Sequence, residues 1–251
     1  MNVAPIISAL ALPIEALVEQ RVPKKLLMEQ GAPTSADKRQ IQDGIEEMMW
    51  VAALKPNNVG VPAFRDSVRE YLEIAIITVV LRANAKLPRL IELIHRAIPY
   101  PLVLIAAHGE TANLSVAHKR WSQGEAGKVV IEGIRQAALS PDAPSTDEAA
   151  FLASLDLSHL PAGDLFTMYE GLLTRVVALE AARITGSFVP PDSGDRSITL
   201  REGVDRHAQL KRELAFLRTR AQKEKQLNRR VELNLEIQRL QTELAAIHEA
   251  L

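Results

Sequence analysis

The sequence has no cysteine, which excludes disulfides, thiolate metal sites and cysteine nucleophiles. It suits a reducing compartment, and a cytoplasmic protein is expected. An uninterrupted apolar run is missing from its start. Met1 to Val18 is apolar, but no basic residue precedes the run and Pro5, Pro13 and Glu15 lie within it. It reads neither as a signal peptide nor as a membrane span. Excess charge of either sign is missing too. Thirty Lys and Arg against 31 Asp and Glu leave a formal net charge of −1, which gives no overall attraction to nucleic acid or an anionic membrane. An electrostatic partner must therefore be met by a local patch, and no membrane partner is expected. What is present is ordinary for a globular chain, with 47% apolar and 24% charged residues, enough for a core that needs no staples.

Thr34 or Ser35 supplies a cap, and Ile41, Ile45, Met48 and Met49 recur at helical spacing, so a helix is predicted from Thr34 to Met49. A short strand, Trp50 to Leu54, follows and ends in the turn Lys55-Pro56-Asn57-Asn58. Tyr71 to Leu81 is dense in β-branched residues and too apolar on alternate positions to leave one face in water, which predicts a central strand. A buried helix is the competing reading, because period alone does not separate the two in short apolar runs. Leu87, Leu90, Ile91 and Ile94 form one helical stripe, with Pro88 in the first turn and Pro99 stopping the run. Pro101 to Ala107 and Asn113 to Lys119 are strand-like runs joined at His108-Gly109-Glu110, a hairpin signal. Gly127 to Leu139 adds another strand, so the first part of the chain is a mixed sheet containing a βαβ unit.

The chain then turns helical. Ser145 and Glu148 have the spacing of a capping box, and a second amphipathic helix runs through Leu165, Phe166, Tyr169, Leu172, Leu173, Val176 and Val177. Gly186 to Gly203 contains Pro190, Pro191 and Gly194 and reads as a linker. From His207 to Leu251 there is neither glycine nor proline. Leu210, Leu214 and Leu217, then Leu233, Ile237, Leu240, Leu244, Ile247 and Leu251, follow at steps of three and four, a heptad seam. Projected forward, the first register lands on Val231 and Leu235, two residues out of phase with the second. One helix that changes face, or a hairpin folded between Gln222 and Arg230, satisfies this. The absence of helix breakers favours one helix of roughly 60 Å, whose seam needs a partner. Self-association into a homo-oligomer is the preferred expectation; packing against its own body and pairing with another protein are the others. The expected fold class is therefore α+β: a mixed β-sheet body with packed helices over 1–186 (sheet to about 140, helical from 145), a linker at 187–204 and a long coiled-coil helix over 205–251.

Eight basic residues, Lys211, Arg212, Arg218, Arg220, Lys223, Lys225, Arg229 and Arg230, stand against two acidic ones between Lys211 and Arg230. A solvated helix face explains such a run; the sharper reading is contact with DNA backbone, sensitive to salt. Phe216 is the lone aromatic there, so no base stacking is implied. Conventional catalytic patterns fail. Around Gly124 and Gly127, Ser122 stands where a phosphate loop needs glycine, and Val129 replaces its Ser or Thr. The histidines, His95, His108, His118, His159, His207 and His248, contain no pair at metal-binding helical spacing, and His108 and His118 are set apart by tight hairpin pairing. Asp66, Glu70 and Glu73 precede or enter the central strand, but no lysine follows them on it, so a divergent magnesium nuclease acting through one of them is kept only as an alternative to a non-enzymatic protein. No catalytic residue, metal or cofactor is expected.

Three strings carry a resemblance. They are Val22-Pro23-Lys24-Lys25-Leu26-Leu27, Ala97-Ile98-Pro99-Tyr100-Pro101 and Glu224-Lys225-Gln226-Leu227-Asn228-Arg229-Arg230-Val231-Glu232-Leu233-Asn234. Together they resemble the bacterial domain-of-unknown-function family 4391 over nearly the whole chain. The last is the most specific, because no heptad rule requires Asn228, Asn234 or the basic cluster. The resemblance implies gene neighbourhoods with helicases and DNA methyltransferases, as in restriction-like antiviral islands. It therefore implies an accessory or adaptor with a helicase or methyltransferase partner, and it transfers no catalytic residue.

Overall fold

The computed structural model describes residues 3–125, 128–191 and 193–251, and the chain divides into two units, Met1–Val176 and Val177–Leu251. The first begins with α1 (Ala4–Ala9), β1 (Leu17–Arg21), α2 (Lys24–Gln30), α3 (Ser35–Gly44) and β2 (Ile45–Leu54). Thr34 caps α3 by accepting from the Asp37 amide at 3.1 Å, as its residue type predicts. The helix expected to reach Met49 stops at Gly44, and Ile45, Met48 and Met49 belong to β2 instead. The pairing of β2 shifts register between Ile45 and Glu47. Such an irregularity puts Ile45 and Met48, three residues apart, into the same core, and so imitates a helical period within a strand.

Short α4 (Pro56–Val59) and the two-residue strands β3 (Phe64–Arg65) and β4 (Glu70–Tyr71) lead into β5 (Ile74–Leu81). The chain continues through α5 (Leu87–Ala97), β6 (Leu102–His108), β7 (Thr111–Trp121) and β8 (Val129–Leu139). The main sheet has the order β1-β2-β5-β6-β7-β8, with β5 and β6 parallel across α5 and the other neighbours antiparallel. Of the Tyr71–Leu81 run, Ile74–Leu81 is the central strand, while Tyr71 ends β4, which pairs with β3 in a separate two-stranded sheet; the βαβ unit and the His108 hairpin form as their signals predict. His108 lies opposite Thr111, far along the strand from His118. The capping box at Ser145 opens α6 (Thr146–Ser154), and α7 (Leu165–Thr185) follows.

One core cluster packs α2, α3 and α5 on the sheet, with Leu27, Ile41, Leu90 and Ile94 fully buried. Arg89 of α5 grips Asp37 of α3 with two hydrogen bonds, of 2.8 and 2.9 Å, and this guanidinium holds the Asp37 carboxyl down at about 2.

In the second unit the Gly186–Gly203 stretch is already helical from Gly194, capped by Ser193. The single C-terminal helix expected from the sequence is instead two, α8 (Gly194–Lys223) and α9 (Leu227–Ala250), packed together. Glu224 and Gln226 take extended conformations although no glycine or proline is present. Leu210, Leu214, Leu217 and Leu240 are buried together, and Leu233, Ile237, Leu244 and Ile247 pack against them. Folding back resolves the phase mismatch, because each half-seam then faces the other within one chain, where no association entropy is lost. Leaving the helix for a few residues costs far less than exposing several leucines. No described helix is long and apolar enough to cross a membrane.

Gly31 marks the closest approach of α2 to α5: a Cβ there would lie 2.6 Å from the Leu93 carbonyl oxygen and 2.7 Å from the Ala97 methyl. Gly31→Ala is expected to cost about 1–3 kcal/mol in urea unfolding, whereas Gly124→Ala, which meets open space, changes stability by less than about 0.5 kcal/mol.

Candidate functional site

Strand β7 is buried along Ala112–Lys119 yet carries Asn113, Ser115, His118 and Lys119. Each of these polar groups has to be satisfied or pay for its desolvation. Ser115 meets His95 of α5, with Oγ 3.0 Å from Nε2. The His95 Nδ1 has no partner among the described residues, and burial, reinforced by the charge of Lys119, keeps its imidazole well below the ordinary value.

His118 lies between the Tyr71 hydroxyl, 2.5 Å from Nδ1, and the Glu170 carboxylate at Nε2. With the phenol donating to Nδ1, Nε2 carries the proton and donates to Glu170. Phe166 and Tyr169 pack around this pair, at 5.2 and 5.7 Å from the Tyr71 ring. Burial pushes the Tyr71 and Tyr169 phenols up. The Tyr169 hydroxyl accepts from the Ala117 amide at 2.8 Å and donates to the Leu102 carbonyl at 2.8 Å. Ala117 falls where the β7–β8 register shifts between Val116 and His118, so Tyr169 supports the backbone at an irregularity.

Lys119 is only 4% exposed. Its Nζ donates to the carbonyls of Ile98 and of Tyr100, the latter at 2.6 Å. Ile98 is the C-cap of α5, where carbonyls lack helical partners and favour a cation. Burial nevertheless lowers the amine to about 7, and no acidic side chain contributes.

A cleft of about 270 Å³ opens beside Lys119, lined by Arg69, Leu72, Tyr100, Arg120 and Trp121 among others. Arg69 and Arg120 share Glu132, at 3.3 and 3.2 Å. The guanidinium of Arg69 also lies 5.3 Å from the Phe166 ring centre. The cleft therefore presents cations, aromatic faces and the Glu70 carboxylate, which Arg65 holds, with a buried amine in its wall.

The profile of a family described as a domain of unknown function, DUF4391, matches residues 10–244. The chain belongs to the DUF4391 family. No curated protein and no solved structure matches it. The resemblance carried by the three strings thus holds for the family.

In this DUF4391 chain the acidic residues considered for a nuclease are each engaged separately. Asp66 accepts from the Val68 and Arg69 amides at 2.7 and 2.6 Å, Glu70 binds Arg65 and Glu73 lies 3.2 Å from Lys55. Among the described residues no group of three or more His, Cys, Asp or Glu is placed to hold a metal. In the Gly124–Val129 stretch, the Ser122 hydroxyl accepts from the Gly124 and Glu125 amides, as in a turn; Gly127 lies outside the described residues.

All eight basic residues of the C-terminal stretch are exposed. Arg218, Arg220 and Lys223 end α8, Lys225 lies in the break and Arg229 and Arg230 begin α9. Folding back therefore gathers these six at one tip, with Lys211 and Arg212 farther down α8. The sequence reading missed the Lys119 cleft and the Tyr71–His118–Glu170 chain. The available signal was four polar residues within a run assigned to a buried strand.

Lys119 gives a testable pH dependence. Its amine titrates near 10.5 when unfolded and about 7 when folded, so between these values the unfolded chain binds more protons and stability rises with pH, by up to about 1.4 kcal/mol per unit. Lys119→Met is expected to flatten the rise in urea midpoints from pH 7 to 9.5. It should leave the loss of stability below pH 6.5, to which the lowered imidazoles of His95 and His207 contribute. The raised phenols of Tyr71 and Tyr169 act only from about pH 10 upward.

Proposed function

We propose that this DUF4391 protein is a non-enzymatic accessory subunit of a restriction-like antiviral assembly, and that the α8–α9 hairpin is the arm by which it grips DNA backbone. The observation that carries this reading is the tip: six basic residues and one acidic residue, Glu224, within 218–230 of a chain whose net charge is −1. None of the six forms an ion pair with a described residue. Such a tip is free to neutralise phosphates and release counterions. Phe216, the aromatic of this stretch, is 5.5 Å from the Arg220 guanidinium, so backbone contact without base reading is favoured. The defence setting, and a helicase or DNA methyltransferase as protein partner, rest on the family resemblance.

A second copy is the other partner expected, and a specific surface favours it. The seam is used within the chain, but Leu227, Val231 and Leu235 are exposed by 65, 50 and 61% and lie one turn apart on α9. We propose that any homo-oligomer forms on this stripe, a short apolar face of the kind helices bury.

Double-stranded DNA binding should weaken with salt, and Arg229→Glu with Arg230→Glu should lower affinity and reduce the logarithmic salt slope by about 2. Unchanged affinity and slope would remove the hairpin from DNA contact. Light scattering on Leu227→Glu with Val231→Glu tests the stripe: an oligomer that becomes a monomer supports it, and a wild-type monomer rejects it.

A further inference from the structure

We propose that the cleft beside Lys119 is a binding site for a single nucleotide unit, its base against the exposed rings of Trp121 and Tyr100 and its phosphate among Arg69, Arg120 and the Lys119 amine. Three observations lead there. The amine of Lys119 is inside the protein with two carbonyl acceptors and no carboxylate. The amine thus meets no carboxylate among the described residues, and a ligand anion would provide a counter-charge that favours its protonated form. Arg69 and Arg120 share the single carboxylate of Glu132, and Glu70, the acidic residue that lines the cleft, is taken by Arg65, which leaves one guanidinium charge unbalanced. Trp121 and Tyr100 both line the cleft and are 37 and 45% exposed, so their rings are open to a planar ligand. Planar faces together with unbalanced cations match a base joined to a phosphate. A volume of about 270 Å³ lies at the small end of ligand sites, which suits one nucleotide rather than a length of strand. Every lining residue lies within 69–129, so the site is independent of the hairpin reading.

The full chain carrying Arg229→Glu and Arg230→Glu, which weakens the hairpin tip, is titrated calorimetrically with AMP, adenosine, inorganic phosphate and a 5′-phosphorylated tetrathymidylate. AMP is expected to bind with a Kd below about 1 mM, and more tightly than adenosine or phosphate. Trp121→Ala and Lys119→Met should each weaken it at least about tenfold. Trp121 is at the surface, so its variant folds and keeps the test decisive should Lys119→Met not. Tighter binding of the oligonucleotide than of AMP, with the same loss in Trp121→Ala, identifies a strand end as the source; the reverse order identifies a free nucleotide. Absence of binding by both AMP and the oligonucleotide, or binding indifferent to Trp121→Ala, would overturn the proposal.

Discussion

An amine cannot be placed inside a sheet without acceptors, and the arrangement around β7 follows from meeting that requirement for Lys119. The helix α5 ends where the carbonyl of its C-cap, Ile98, meets the amine, and Pro99 and Pro101 hold the following backbone extended so that the Tyr100 carbonyl meets it as well. The neighbouring residue, His118, is satisfied by Tyr71 and Glu170, and Tyr169, next to Glu170 on α7, supports the register shift between Val116 and His118. Strand, crossover helix and α7 are thus coupled through hydrogen bonds whose loss would leave buried polar groups unpaired, a larger penalty than the bonds themselves contribute when made.

The same economy of burial shapes the second unit. A long amphipathic helix alone in water exposes its leucines, and the chain removes them by turning on itself instead of waiting for a partner. That turn has an electrostatic by-product. Basic residues that would be spread along a rod become a compact cationic end, held there against their mutual repulsion by the leucine seam. Water and salt screen such a repulsion at the surface, so the seam's apolar burial easily outweighs it.

Much of the fold was legible in the amino-acid order. The β-branched density of Ile74–Leu81, the stripe of α5, the capping box at Ser145 and the hairpin at Gly109 all act over a few residues, and local signals survive folding because neighbours in sequence remain neighbours in space. The extent of α3 was not legible, because a bulged strand can carry the same three-residue spacing as a helix. The cleft was hidden for a different reason. Arg69, Tyr100, Lys119 and Trp121 come from three separate segments, and no spacing rule links them.

The sequence by itself determined the family, the α+β class, the positions of most strands and helices, and a strongly basic C-terminal stretch. Only the tertiary structure decided that the heptad seam closes within one chain, that six of its basic residues meet at one tip, and that Lys119 is buried against two carbonyls. These are outcomes of long-range burial. Which apolar surface covers which, and which polar group is then stripped of water, depends on the balance of desolvation and packing over the whole chain, and that balance is not written in any local pattern.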